Sequence, residues 1–325
     1  MTRDRSWGFA LMTCVLAMTG AAACGTRNPP KVSPAVPPSF SGIEMIGELK
    51  DFAEAMGSQP TDNFRTTSAR VVSDERCYFT GKLQMPEFYS NLRLVRENES
   101  RCAARAGEFD VFFYPVQAVA SGEETITVAL AEAPTERVLV VVPHEDFHNQ
   151  IEARKAPMEV AESAATLVGF LTASAFARER LGEEASTSRL LARDVDLFLR
   201  KALIVNTYYD RVSELYKSFR AGALSEAETL ARKSELFAEL EHACSAISPD
   251  PVSFNKCPAA LNNAGLAFDR TYTRHYPLMY DLYISLGRDP SALVLALKQL
   301  MPRWPRSVTS VADLMKVADL MKAEP

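Results

Sequence analysis

The run His144-Glu145-Asp146-Phe147-His148 contains two of the chain's four histidines. Residues four apart on a helix lie one turn above each other on the same face, so both imidazoles can reach one point in space. A divalent cation at that point, zinc above all, gains two nitrogen ligands. Glu145 is adjacent and close enough to exchange a proton with an attacking water. The pattern asks for a helix here and a third ligand from another element, because a catalytic zinc keeps three protein ligands and one open position.

The flanks bear on both demands. Val138 to Val142 is a β-branched run that suits a strand. Pro134-Thr135-Glu136, however, looks like a helix start, and the reading adopted is a helix kinked by Pro143 just before His144. Downstream, Pro157 opens a second helix whose apolar face is Val160, Ala164, Leu167, Val168 and Leu171. Glu162 lies on it between Ala161 and Ser163-Ala164, small residues that let a neighbouring helix approach closely. A glutamate on a second helix, packed across the first, is the usual third ligand of the glutamate-zincin metallopeptidases, and Glu162 is the preferred candidate. Glu159, one turn earlier and nearer the helix start, is its competitor.

Further out, Ile43 to Met56 has helical spacing, and Pro86 to Arg105 reads as a helix with proline in its first turn. Phe109 to Tyr114 reads as a strand ending at Pro115, and Thr125 to Leu130 alternates like a second strand. From Val195, apolar residues recur at spacings of three and four through Phe198, Ala202, Val205, Tyr209, Val212, Tyr216 and Phe219. Gly222 ends that helix, and Ser225-Glu226-Ala227-Glu228 has the form of a capping box for a returning one. This predicts a long antiparallel hairpin over about 190–247. More helices are expected near Pro258–Tyr276, Pro277–Leu286, Pro290–Leu300 and Val311–Met321. The fold class is thus mainly α (α+β with a small sheet), in one domain over 43–325.

Before that domain, Arg3 and Arg5 precede an apolar run from Trp7 to Met18, followed by Ala21-Ala22-Ala23-Cys24. Small residues before a cysteine resemble a lipoprotein signal, so residues 1–23 are read as a signal peptide and Cys24 as the lipidated residue. An ordinary secretory signal cleaved near Ala23 is the alternative. Residues 24–42 are proline-rich and suit an extended tether, and no later apolar run is long enough to span a bilayer. Gly25 after the cysteine, in place of Asp, resembles lipoproteins sent on to the outer membrane, here facing the periplasm. In an oxidising compartment Cys77, Cys102, Cys244 and Cys257 suggest two disulfides. Of the three pairings, Cys77–Cys102 and Cys244–Cys257 close the shortest loops. A net charge of −5 without a basic block leaves nucleic acid no electrostatic footprint.

Several stretches carry a wider resemblance: Cys77, Phe109-Asp110-Val111-Phe112-Phe113, His144 to Gln150, Glu162-Ser163-Ala164-Ala165-Thr166-Leu167-Val168, Ala231 to Phe237, Asn262-Asn263-Ala264 and Gly287-Arg288-Asp289. In order, they resemble segments of a zinc aminopeptidase family of bacterial lipoproteins, from about Cys77 to Leu300. The resemblance implies a zincin-like core binding one zinc ion through His144, His148 and Glu162, with Glu145 as general base on a peptide substrate. Departures are Ala161, where the family has Asn before the ligand Glu, Val119 in place of a tyrosine, and Asn149 as an added residue. Tyr272 or Tyr276 is a candidate oxyanion donor, and Glu159 a candidate anchor for a substrate amine. His242 and His275 are set aside as ligands. The expected function is a lipid-anchored zinc peptidase, an aminopeptidase by resemblance; the alternative is a non-catalytic exported lipoprotein serving as a binding or scaffold module.

Overall fold

The computed structural model describes residues 41–119, 121–305 and 308–316, which all fall in one unit. The signal peptide, the lipidation at Cys24 and most of the tether lie outside the described residues. Ser41 and Gly42, assigned to the tether from sequence, instead open the first helix, α1 (Ser41–Ala55), whose Ile46, Leu49 and Ala53 are buried.

Three strands follow: β1 (Asp74–Gly81), β2 (Arg93–Val95) and β3 (Phe109–Val116). They form an antiparallel sheet of order β2-β1-β3. Successive side chains point to opposite faces of a strand. Cys77 and Phe79 therefore meet Cys102 on one face, while Tyr78 and Phe112 turn the other way, onto Phe268. The Cys77–Cys102 disulfide ties β1 to α2 (Glu99–Ala103). β3 forms where expected and runs on through Pro115, which an edge strand tolerates.

Two local expectations fail. Pro86 to Arg105 is not one helix, because Arg93–Val95 pairs with β1 in the register Cys77↔Val95 and Phe79↔Arg93. What remains is a 3-10 turn at Tyr89–Asn91 and the short α2, capped by the Asn98 side chain on Arg101 N. Pairing with a sheet edge overrides local preference. Thr125 to Leu130 is not a strand either. Ile126 makes one isolated parallel bridge to Thr67, and Thr127 then caps Leu130 N and turns the chain into α3 (Val128–Ala131).

α4 (Thr135–His148) is the helix expected across Val138 to Val142, with Pro143 inside it. α5 (Met158–Leu181) begins after Pro157 and is buried almost without break from Val160 to Ala173. By length and hydropathy α5 would also serve as a membrane span, which corrects the reading that no later run is long enough. Yet 89% of its apolar window is covered by protein. It is the central helix of the main core.

The hairpin is α6 (Ser186–Arg220) and α7 (Glu226–Ser245), with Gly222 at φ +74 after the first arm and a capping box of Ser225 and Glu228 starting the second. Its apolar stripe serves two cores. Val195, Phe198 and Ala202 join α5, whereas Val205 to Tyr216 pack on Phe237, Leu240 and Cys244 of α7. The second disulfide, Cys244–Cys257, leads the chain towards α8 (Asn263–Thr273). Both pairings follow the shortest-loop expectation, and two disulfides imply folding in an oxidising compartment.

α8 lies between sheet and hairpin, with Ala264, Ala267 and Phe268 against Tyr78 and Phe112. α9 (Tyr276–Ser285) and α10 (Pro290–Leu300) close the core, and residues 311–316 are helical; the rest of the last expected helix lies outside the described residues. Lys50, Lys201 and Lys233 are buried, and each meets an aspartate: Asp146 at 2.6 Å, Asp269 at 2.8 Å and Asp110 at 2.5 Å.

Candidate metal centre

α4 and α5 pack extensively on each other, and their crossing explains the centre. Gly169 is two turns beyond Glu162 on the same face of α5. A Cβ there would lie 2.8 Å from the Val140 carbonyl oxygen and 3.2 Å from His144 Cβ. Only glycine lets the two backbones come this close. Ala161, Ser163 and Ala164 around Glu162 are buried small residues, as the sequence suggested.

At the crossing His144 Nε2 and His148 Nε2 are 3.1 Å apart, and Glu162 Oε2 lies 3.1 Å from His148 Nε2 and 3.4 Å from His144 Nε2. A tetrahedral ion with bonds of about 2.0–2.2 Å sets its ligand atoms roughly 3.3–3.5 Å apart. The triangle therefore has nearly the edge lengths of one face of such a tetrahedron, and the donor set, two imidazoles and a carboxylate, suits zinc and similar cations. These residues can hold a metal ion.

The other face of the motif anchors it. Asp146 is buried, and its carboxylate accepts from Lys50 Nζ at 2.6 Å, Thr61 Oγ1 at 2.5 Å and Asn63 Nδ2 at 3.0 Å. Gln150, at the helix end, accepts from Gln59 N at 2.7 Å. The variable positions of the pentapeptide thus hold α4 while the histidines face the cavity. On α5, the second oxygen of Glu162 accepts from the Tyr89 hydroxyl at 2.9 Å. That bond orients the carboxylate, a role that second neighbours of metal ligands commonly fill.

The charges are strongly coupled in the metal-free centre. Burial raises the pKa of Glu162, but His148 and His144 outweigh it and hold the carboxyl far below its usual range. Burial pulls His148 down, but Glu162 more than reverses this and pushes it up to about 9. Glu145, with its carboxylate 4.0 Å from His144 Nε2, is raised by burial against the pull of both histidines. Tyr89 and Tyr272 are raised first by burial and then by the Glu162 charge, so both hydroxyls stay protonated donors.

A cavity of about 300 Å³ opens beside the triangle. Tyr78, Tyr89, Tyr114, Phe268 and Tyr272 make its aromatic wall, and Arg76, Arg137 and Lys201 are its cations. Of the two tyrosines expected as donors, Tyr272 lines this space, its ring centroid 6.2 Å from that of His144. Tyr276 does not. It is buried on α9, its ring packs on Phe198, and its hydroxyl donates to Val195 O at 3.4 Å. Glu159 sits in the first turn of α5 and belongs neither to the ligand group nor to the cavity wall. His242 is exposed on α7, and His275 packs on Trp304, where burial lowers it to about 3.

Sequence reasoning missed Tyr89, which it placed inside a helix, and also Arg137, Gln117 and the Lys201–Asp269 pair. The only available signal was a helical one: Arg137, Val140, Val141, His144 and His148 form one stripe on α4. The chain matches no protein-family model, no curated protein and no solved structure.

Proposed function

We propose that the protein is a zinc-dependent peptidase with a zincin-like site, exported and held at the outer membrane by a lipid on Cys24. The observation that carries this reading is the convergence of His144, His148 and Glu162 on one point, with Glu145 on the cavity side. A zinc ion held there would lower the pKa of water to about 7 and polarise a carbonyl. Glu145 accepts the proton of the attacking water and passes it to the leaving amine, a task suited to a carboxylate whose pKa burial has raised. Tyr272 donates to the oxygen on which negative charge develops. Tyr89 keeps Glu162 turned towards the histidines.

Metal content and hydrolysis test the proposal together. The purified protein should carry about one zinc per chain, bound by three side chains. Glu145→Gln should keep the zinc and lose roughly 10²–10⁴-fold in turnover of aminoacyl and internally quenched peptides. Equal turnover by wild type and Glu145→Gln would remove the peptidase reading. Absence of zinc after saturation would leave the chain as a binding or scaffold module.

A further inference from the structure

Arg137 differs from the other cations of the cavity. Arg76 Nε donates to Asp74 at 2.8 Å, and Lys201 meets Asp269 at 2.8 Å. Arg137 has no carboxylate partner among the described residues. Its Nε donates to Gln117 Oε1 at 2.5 Å, and its Nη1 reaches Ser253 O at 3.5 Å. Gln117 is itself held, its amide nitrogen donating to Ala129 O at 3.3 Å. Neutral acceptors thus orient the guanidinium and leave its charge uncompensated, with donors to spare on a group that has five. A planar guanidinium in this state is matched by a carboxylate, which takes two parallel hydrogen bonds.

Its position defines the rest of the ligand. Arg137 precedes His144 by two turns of α4, about 10.5 Å along the helix axis. Val140, Val141, Phe170, Phe198 and Phe254 supply apolar wall. An extended peptide covers roughly 3.3–3.6 Å per residue, so the span corresponds to about three residues. The volume of about 300 Å³ lies at the lower end of the range for small-molecule sites.

We propose that Arg137 grips the free C-terminal carboxylate of a short apolar peptide and so sets the cleaved bond about three residues from that end. This rests on the peptidase reading and names its substrate class. A tetrapeptide bound in this way loses its N-terminal residue without any carboxylate to hold its amine, in keeping with the position of Glu159 outside the cavity.

Binding and turnover separate the two claims. Calorimetry on full-chain, zinc-saturated Glu145→Gln protein compares an apolar tetrapeptide acid, its C-terminal amide, and a C-terminally amidated analogue ending in glutamate. The acid should bind about tenfold to a hundredfold tighter than the amide, the range for a charge-assisted pair. The glutamate analogue should follow the amide. Adding Arg137→Gln should bring acid and amide within about twofold of each other, whereas Arg137→Lys should keep part of the difference. Lys keeps the charge, so it reads the preference even if the glutamine variant fails to fold. Equal binding of acid and amide overturns the proposal. So does a preference that survives Arg137→Gln, which would put the carboxylate on the zinc, or a glutamate analogue as good as the acid, which would move recognition to a side chain. A wild type that hydrolyses nothing while the acid preference stands would refute the peptidase reading alone.

Discussion

At His148 and Glu162 a coupled pair of charges shapes the upper limb of the pH response of the metal-free protein. The folded pKa of His148, about 9, exceeds its ordinary 6.5. Its contribution to stability is therefore complete below about pH 6.5 and is lost as pH rises through 9. Glu162 is depressed below its ordinary 4.5, so its contribution is present above that pH and is lost as pH falls further. Thermal midpoints in chelator should accordingly decline as pH rises from about 6.5 towards 9. Below 6.5 His275, buried neutral with its pKa lowered to about 3, acts against the pair, because the unfolded chain takes up its proton first. Zinc, which competes with the His148 proton, should reverse the upper slope. A metal-free midpoint that rises from pH 6.5 to 9 would contradict the coupling. The candidate ligands themselves were legible because helical spacing is a local property: two imidazoles four positions apart, then a glutamate among small residues on the next helix. Tyr89 and Arg137 were not, since the first needs strand pairing to reach Glu162, and the second, although on a helix already expected, faces a cavity whose other walls come from distant elements.

Among the elements, the crossing of α4 and α5 is the joint that brings the ligands together, and Gly169 is its closest point. Gly169→Ala forces a methyl against a carbonyl oxygen inside a hydrogen-bonded helix. It should cost about 1–3 kcal/mol, the range for overpacking, and should weaken zinc binding because the helices must part. Gly222→Ala is the control: it meets open space but needs φ +74, so it should lower the melting midpoint and leave zinc affinity unchanged. Calorimetric titration with zinc alongside thermal unfolding checks both. Long periodic elements such as α5 and the hairpin could be read in advance, since their apolar stripes exceed several turns. Arg93–Val95 and Ile126 could not, because a three-residue strand or a single bridge exists only through its partner.

Across the whole molecule, the buried lysine–aspartate pairs bind elements far apart in sequence: α1 to α4, α6 to α8, and α7 to β3. Their value lies in placement more than in net attraction, since desolvation offsets much of the gain. Lys50→Ala, which leaves Asp146 buried beside the metal motif, should cost about 3–5 kcal/mol in denaturant unfolding. Replacing both partners with apolar residues of similar volume should recover much of that. A cost below about 1 kcal/mol for the single change would show that Asp146 is not held as described. None of these pairs was visible in composition, where a lysine reads as surface.

The apolar character of α5 has a consequence for how the chain is made. In an exported protein this segment leaves the translocation pore ahead of α6, α8, α9 and α10, the neighbours that later enclose it. Until they arrive it is an uncovered apolar helix with the length and hydropathy of a bilayer span. Secretion yield, more than the stability of the finished protein, is where changes that make α5 still greasier would first be felt.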